Sequence, residues 1–260
     1  VNLGQARVAI RERPLAEIVD LSFRFVVGLE RRAYLKLAVF WLLPAFSACA
    51  ALRLTDASWW WVWCAAIALN SLVQAPFTIA AGRAMFERGV TLKSVSRETL
   101  SRLPRYFMAT VLRVALLSLG ALTVFGLVIG VPRLLFLNEI VLLERLPVGA
   151  AMGRSSRFLG TRTSVAFEAA VALALVPIAF ALVADALGRA LVETLFEIAT
   201  LPSLLDEQGS YFALFGFFVA TPFCAALRYL AYIDVRTRRE AWDVQVRFQR
   251  ASLELARGLS

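Results

Sequence analysis

Six stretches of this chain stay apolar for about as long as a helix needs to cross ~30 Å of hydrocarbon at 1.5 Å per residue. No other feature limits the fold as much. Lipid offers no water to satisfy backbone N–H and C=O groups, so a spanning segment must be a helix or part of a closed barrel. Runs of this length without two-residue alternation are helices. They cover about 33–52, Trp59 to about Ala81, about 106–127, 129–145, 163–186 and 211–234. The fourth is brief, and would have to thin the bilayer locally or be buried among its neighbours. "WWWVW" (Trp59–Trp63) opens the second span and reads as an interfacial anchor. The chain is 60% hydrophobic, where a soluble domain has about 45–50%, and its mean hydropathy is +0.70. The expectation is an all-α polytopic helix bundle forming one membrane domain over 1–260. It divides into an amphipathic segment at 1–32, six spans within 33–235 and a charged tail at 236–260.

The cations give this bundle a direction. Of 28 Lys and Arg residues, segments 1–36, 83–106, 145–162 and 228–260 hold 7, 6, 4 and 7. These four segments fall on one side if there are six spans, and cytoplasmic loops collect Lys and Arg. The opposite loops keep Arg53 and Arg189, with Arg113 and Arg133 near or within spans. Five spans would put the Arg-rich tail on the wrong side. Both termini are therefore expected in the cytoplasm. The net charge of +9 has the same origin, and no nucleic-acid module accompanies it, so nucleic acid is not an expected partner. About 33 residues with many charges precede the first span, so no signal peptide is read there.

Several segments suggest more than spans. "PLAEIVDLSFRFVVGLERR" places Leu15, Ile18, Val19, Phe23, Val26 and Val27 at helical spacing, which predicts an amphipathic helix on the membrane surface. Residues 83–106 are basic and partly amphipathic in the same way. At an offset of 133, Pro14/Pro147, Ser22/Ser155, Arg24/Arg157 and Phe25/Phe158 match. This suggests three units, each a surface helix followed by a two-span hairpin. "ARVAIRE" (Ala6–Glu12) and "DVQVRF" (Asp243–Phe248) alternate, so the termini would pair as short strands. Asp234/Arg238, Arg236/Glu240, Arg239/Asp243 and Asp243/Arg247 are i,i+4 pairs that neutralise the tail along a helix.

The candidate chemistry lies inside the spans. Arg113, Glu139 and Glu168 are each six to eight residues from a cytoplasmic span end, roughly 9–12 Å deep at helical rise. Intramembrane charges cost at least ~2.5–3.5 kcal/mol each and pair or line cavities. The third and fourth spans form a hairpin, which would let Arg113 meet Glu139, with Gln74 and Asn70 at similar depth. A structural ion pair is the favoured reading, and an ion or proton pathway is the alternative. Prolines at 44, 76, 177 and 222 lie within spans, where they are tolerated. Gly126 and Gly130 permit close approach or mark a turn. Arg154, Arg157, Arg162, Arg236, Arg238 and Arg239 would gather against anionic lipid headgroups. Catalysis is not expected. There is no histidine, and Ser155 and Ser156 in "GRSSR" have no base to activate them. Cys49, Cys64 and Cys224 sit in apolar runs without metal-ligand spacing, so no metal or other cofactor is expected.

Three segments carry a resemblance: "RERPLAEIVDLSFRF", "IVLLERLPVGAAMGRSSRFLG" and "YIDVRTRREAWDVQV". In this order they resemble the bacterial family of six-span proteins similar to the YciC inner-membrane proteins. That family includes the membrane domain attached to some glycerophosphodiester phosphodiesterases. Glu139 and Ala241 depart from its pattern, standing where members carry a small residue or proline and a glycine. The resemblance implies a multi-pass protein of the bacterial cytoplasmic membrane. The phosphodiester chemistry belongs to a separate catalytic domain bearing histidine and metal-binding carboxylates, and does not transfer. The expected function is that of a non-enzymatic scaffold or subunit of a membrane assembly or envelope-homeostasis system, with a protein partner or a second copy of itself. The alternative is a small-solute, ion or lipid transporter using the charges on spans 3–5.

Overall fold

A computed structural model of the chain describes residues 13–87, 89–159, 163–196, 203–204 and 208–240. Among the described residues all regular structure is helical. The elements are α1 (Leu15–Arg24), α2 (Arg31–Leu37), α3 (Leu43–Arg53), α4 (Trp59–Ala84), α5 (Leu92–Gly120), α6 (Val124–Leu134), α7 (Leu137–Glu139), α8 (Val148–Leu159), α9 (Thr163–Phe196), α10 (Tyr211–Val219) and α11 (Thr221–Glu240). π-Helical turns over Phe25–Leu29, Ala38–Leu42 and Ile140–Glu144 follow α1, α2 and α7. The strands expected of the termini and the i,i+4 pairs reaching Asp243 and Arg247 fall outside the described residues.

Five helical stretches are long and apolar enough to cross a membrane: Arg31–Arg53, Trp59–Ala84, Leu92–Gly120, Ala166–Phe196 and Tyr211–Thr237. The fourth expected span is not a continuous helix. It bends at Leu135–Phe136 and finishes in the short α7 and a π-helical turn. Irregular backbone is tolerated at membrane depth only where protein surrounds it, and Phe136 to Leu142 are all buried. This segment runs antiparallel to α5 along its length. Gly126 abuts Gly120, and Gly130 lies against Leu117. Asn138 Nδ2 donates to Thr110 Oγ1 at 3.3 Å, Arg102 donates to the Leu142 carbonyl, and Arg145 lies 4.0 Å from Glu98. Gly126 is thus turn punctuation, where a Cβ would strike the Gly120 backbone.

Prolines account for two breaks within spans. Pro44 occupies the first turn of α3, directly after the π-helical Ala38–Leu42. Pro222 likewise stands in the first turn of α11, after the break at Ala220. Proline has no N–H to give and crowds the carbonyl four residues back, so a helix start suits it and a helix interior does not. Pro76 and Pro177 remain inside α4 and α9.

The α4 and α10–α11 spans form the centre: 56% and 78% of their apolar windows are buried, against 11% for α9. Helix α9 covers α10 through small residues. Gly216 faces the Phe180 carbonyl and Ala184, and Gly188 faces the Phe212 ring, the close approach that glycine allows between membrane helices. Helix α1 uses its apolar face on protein: Ile18, Ser22 and Phe25 are buried. Phe23 packs on Phe223 at 4.8 Å between centroids, and the Arg13 N–H donates to Asp234 Oδ1 at 2.8 Å. It therefore lies along α11 with its apolar side withdrawn from lipid. The basic stretch before span 3 is also no separate surface helix, because α5 continues without interruption from Leu92 to Gly120.

The ends of the bundle differ in chemistry. At one, Trp59 stacks edge-on against Tyr211, Trp63 Nε1 donates to the Gln208 carbonyl at 3.0 Å, and Trp60 and Trp61 are exposed. Asp185 there accepts from Ser210 Oγ, the Leu204 N–H and Arg189. At the other, Glu98 is held by Arg83 at 2.6 Å and by Arg102. Glu144 is held by Arg154, by Arg236 at 3.6 Å and by Tyr232 Oη at 2.5 Å.

Candidate functional site, a buried charge pair beside a polar cavity

The interior polar groups converge where α4, α5, α7 and α11 meet. Glu139, on α7, is wholly buried and is paired with Arg228 of α11, whose side chain is only 6% exposed. Two further links join the same helices. Thr221 Oγ1 donates to Asn70 Oδ1 at 2.6 Å, tying α11 to α4. Tyr106 Oη donates to the Ser71 carbonyl at 2.5 Å, tying α5 to α4. A buried carboxylate in so apolar a setting persists as an anion only with a cation and hydrogen bonds to match it.

A cavity of about 370 Å³ opens beside this pair. Asn70, Ser71, Gln74 and Arg113 line one wall, Cys224 and Arg228 another, and Leu173 and Pro177 of α9 close the apolar side. Arg113 feels the charges of both Arg228 and Glu139 but makes no ion pair among the described residues. Two arginines and one carboxylate leave the site with an excess positive charge. Arg228 Nη2 and Glu139 Oε2 have no hydrogen-bond partner among the described residues.

The expected cluster is thus partly assembled. Asn70, Gln74 and Arg113 share the cavity, and Glu139 lies behind it in the ion pair. Glu168 is exposed on the outer face of α9 and does not join them. The expected Arg113–Glu139 pair is replaced by Arg228–Glu139. The cation count groups Arg228 with the cytoplasmic tail, although it lies eight residues, about 12 Å of helix, before Arg236. A lone arginine six residues ahead of Asp234 in an otherwise apolar run was the available signal.

Among the expected surface arginines, Arg154 and Arg236 are engaged with Glu144. Arg157 is exposed and donates to the Gly153 carbonyl at 3.1 Å. Arg238 and Arg239 stand on the last turn of α11, and Arg162 lies outside the described residues. Ser155 is buried and donates to the Arg133 carbonyl at 2.6 Å. It caps one of the last carbonyls of α6, a structural duty for a helix end. No family model, curated protein or solved structure matches the chain.

Proposed function

We propose that the chain crosses the membrane six times with both ends in the cytoplasm, and works as a non-enzymatic scaffold or subunit of a membrane assembly. In this reading, suggested by the resemblance of three segments to YciC-like proteins, that assembly serves envelope homeostasis at a bacterial cytoplasmic membrane. Six crossings are supported by the broken segment 124–145, which retraces α5 from Gly120 back to Glu98, a path of about 33 Å at helical rise. They are also supported by the concentration of Arg and Lys at the end where Arg13 meets Asp234.

The observation that carries the scaffold reading is the buried Glu139–Arg228 pair. The acid that a proton or ion pathway would use is fully buried against its cation. Asn70, Tyr106, Thr110, Asn138 and Thr221 nearby are engaged in helix-to-helix links. Extraction of the full chain into polymer-bounded native nanodiscs, followed by mass measurement, tests this reading. A particle holding a second copy or a stoichiometric partner protein is expected, and a bare monomer would overturn it.

The cavity beside Arg113 favours a second reading, a carrier of small anions. Proteoliposomes containing the chain would then accumulate an organic anion, and Arg113→Gln would abolish the flux.

A further inference from the structure

A second concavity lies elsewhere, at the cation-rich end of α5, and none of the expected site residues belongs to it. Its volume is about 810 Å³. Six cations line it: Arg83, Lys93, Arg97, Arg102, Arg105 and Arg145. Glu98 is the one acid among the described lining residues, and Arg83 and Arg102 already hold it. Lys93, Arg97 and Arg105 make no ion pair among the described residues, and Arg145 only approaches Glu98 at 4.0 Å. The hydroxyls of Thr91, Ser94 and Ser101 complete the wall. Arg145 reaches it from a left-handed backbone conformation, φ 58°, which residues with a Cβ seldom adopt.

Unmatched guanidinium groups around a shared hollow are suited to a phosphate, whose oxygens accept the paired N–H bonds of the guanidinium fork. The rest of α5 indicates where such a phosphate comes from. Past Arg105 the helix turns apolar, and Phe107, Met108 and Val111 are 49%, 61% and 47% exposed. A basic hollow opening onto an exposed apolar helix face matches a molecule with an anionic head and hydrocarbon tails.

We propose that this cavity is a binding site for the phosphate headgroup of an anionic phospholipid, with the acyl chains lying along Phe107, Met108 and Val111. The assignment rests on the membrane topology proposed above, which sets this end of α5 at a lipid headgroup layer. Bound lipid would fasten α5 and the fourth segment together where Arg105 and Arg145 both line the hollow.

Native mass spectrometry of the full chain in detergent tests the site, with phosphatidylglycerol, phosphatidylcholine, inorganic phosphate and glycerol 3-phosphate as separate probes. The wild type should retain one phosphatidylglycerol and discriminate against phosphatidylcholine. The triple variant Arg97→Gln, Arg105→Gln, Arg145→Gln should lose affinity on the order of a hundredfold, about fivefold for each basic group removed. Arg31→Gln with Arg32→Gln, exposed cations of α2 that do not line the cavity, should leave retention unchanged. Equal retention by the triple variant and the wild type would overturn the proposal, as would equal retention of the two lipids. Millimolar inorganic phosphate or glycerol 3-phosphate displacing the lipid would assign the cavity to a soluble phosphate and overturn the lipid assignment. Impermeant thiol labelling of Lys93→Cys in sealed vesicles reports separately on topology, so an error there is distinguishable from an empty site.

Discussion

Removing Glu139 should damage this protein more than removing Glu139 and Arg228 together. The carboxylate is 0% exposed and Arg228 only 6%, so neither charge has bulk water to fall back on. Glu139→Ala would leave Arg228 buried without its counter-ion, beside a second guanidinium at Arg113 that raises the positive charge of the cavity. Breaking one side of a buried pair costs about 3–5 kcal/mol. Glu139→Gln keeps an acceptor for Arg228 Nε and should cost less, about 2 kcal/mol, the worth of a hydrogen bond to a charged group. The double variant Glu139→Leu, Arg228→Met removes both desolvation penalties, and replacement of a buried pair by apolar residues of similar volume is often neutral. Equilibrium unfolding by SDS titration in mixed micelles would give all the free energies of the cycle. A coupling of at least about 2 kcal/mol is expected between the two positions. Additivity within about 0.5 kcal/mol would refute the reasoning, because the pair would then not be the interaction holding these helices together.

Gly216→Leu should cost about 1–3 kcal/mol by overpacking against the Phe180 carbonyl and Ala184. Gly149→Leu, with nothing within 4 Å of its new Cβ, should leave the SDS unfolding curve nearly unmoved. Asn70→Leu breaks a single link between α4 and α11, and should cost about 0.6 kcal/mol and no more than ~1.7 in the same SDS titration. Arg145→Gly relieves a left-handed residue at φ 58° and should raise stability by about 1 kcal/mol, while lipid retention in the mass spectrometer falls about fivefold.

Apolar length made most of the spans legible, because crossing hydrocarbon is a local demand that each segment meets alone. Three features escaped for a common reason. The faces of a helix that is apolar all round look alike, so sequence does not tell which residues turn inward. Glu139 and Glu168 have similar depth and identical chemistry, yet one is fully buried and the other lies on the outer face of α9. Arg228 was hidden by its proximity to the charged tail, although its partner lies 89 positions away. Lys93, Arg97 and Arg105 read as part of a separate basic surface helix, whereas α5 is continuous and brings them to one cavity with Arg145 of the fourth segment. The amphipathic pattern of α1 was legible, but amphipathicity names only an apolar partner, and here α11 takes that place in preference to lipid.

The central claim is that the broken segment 124–145 carries the chain back across the membrane. Single cysteines at Leu122, exposed in the turn between α5 and α6, and at Gly149, on α8 beyond the segment, bracket it. With Cys49, Cys64 and Cys224 replaced, a membrane-impermeant maleimide applied to intact spheroplasts should label Leu122→Cys. Gly149→Cys should react only after the membrane is opened. Labelling of both cysteines from the same side would mean that the segment turns back without crossing, and would contradict the six-crossing account.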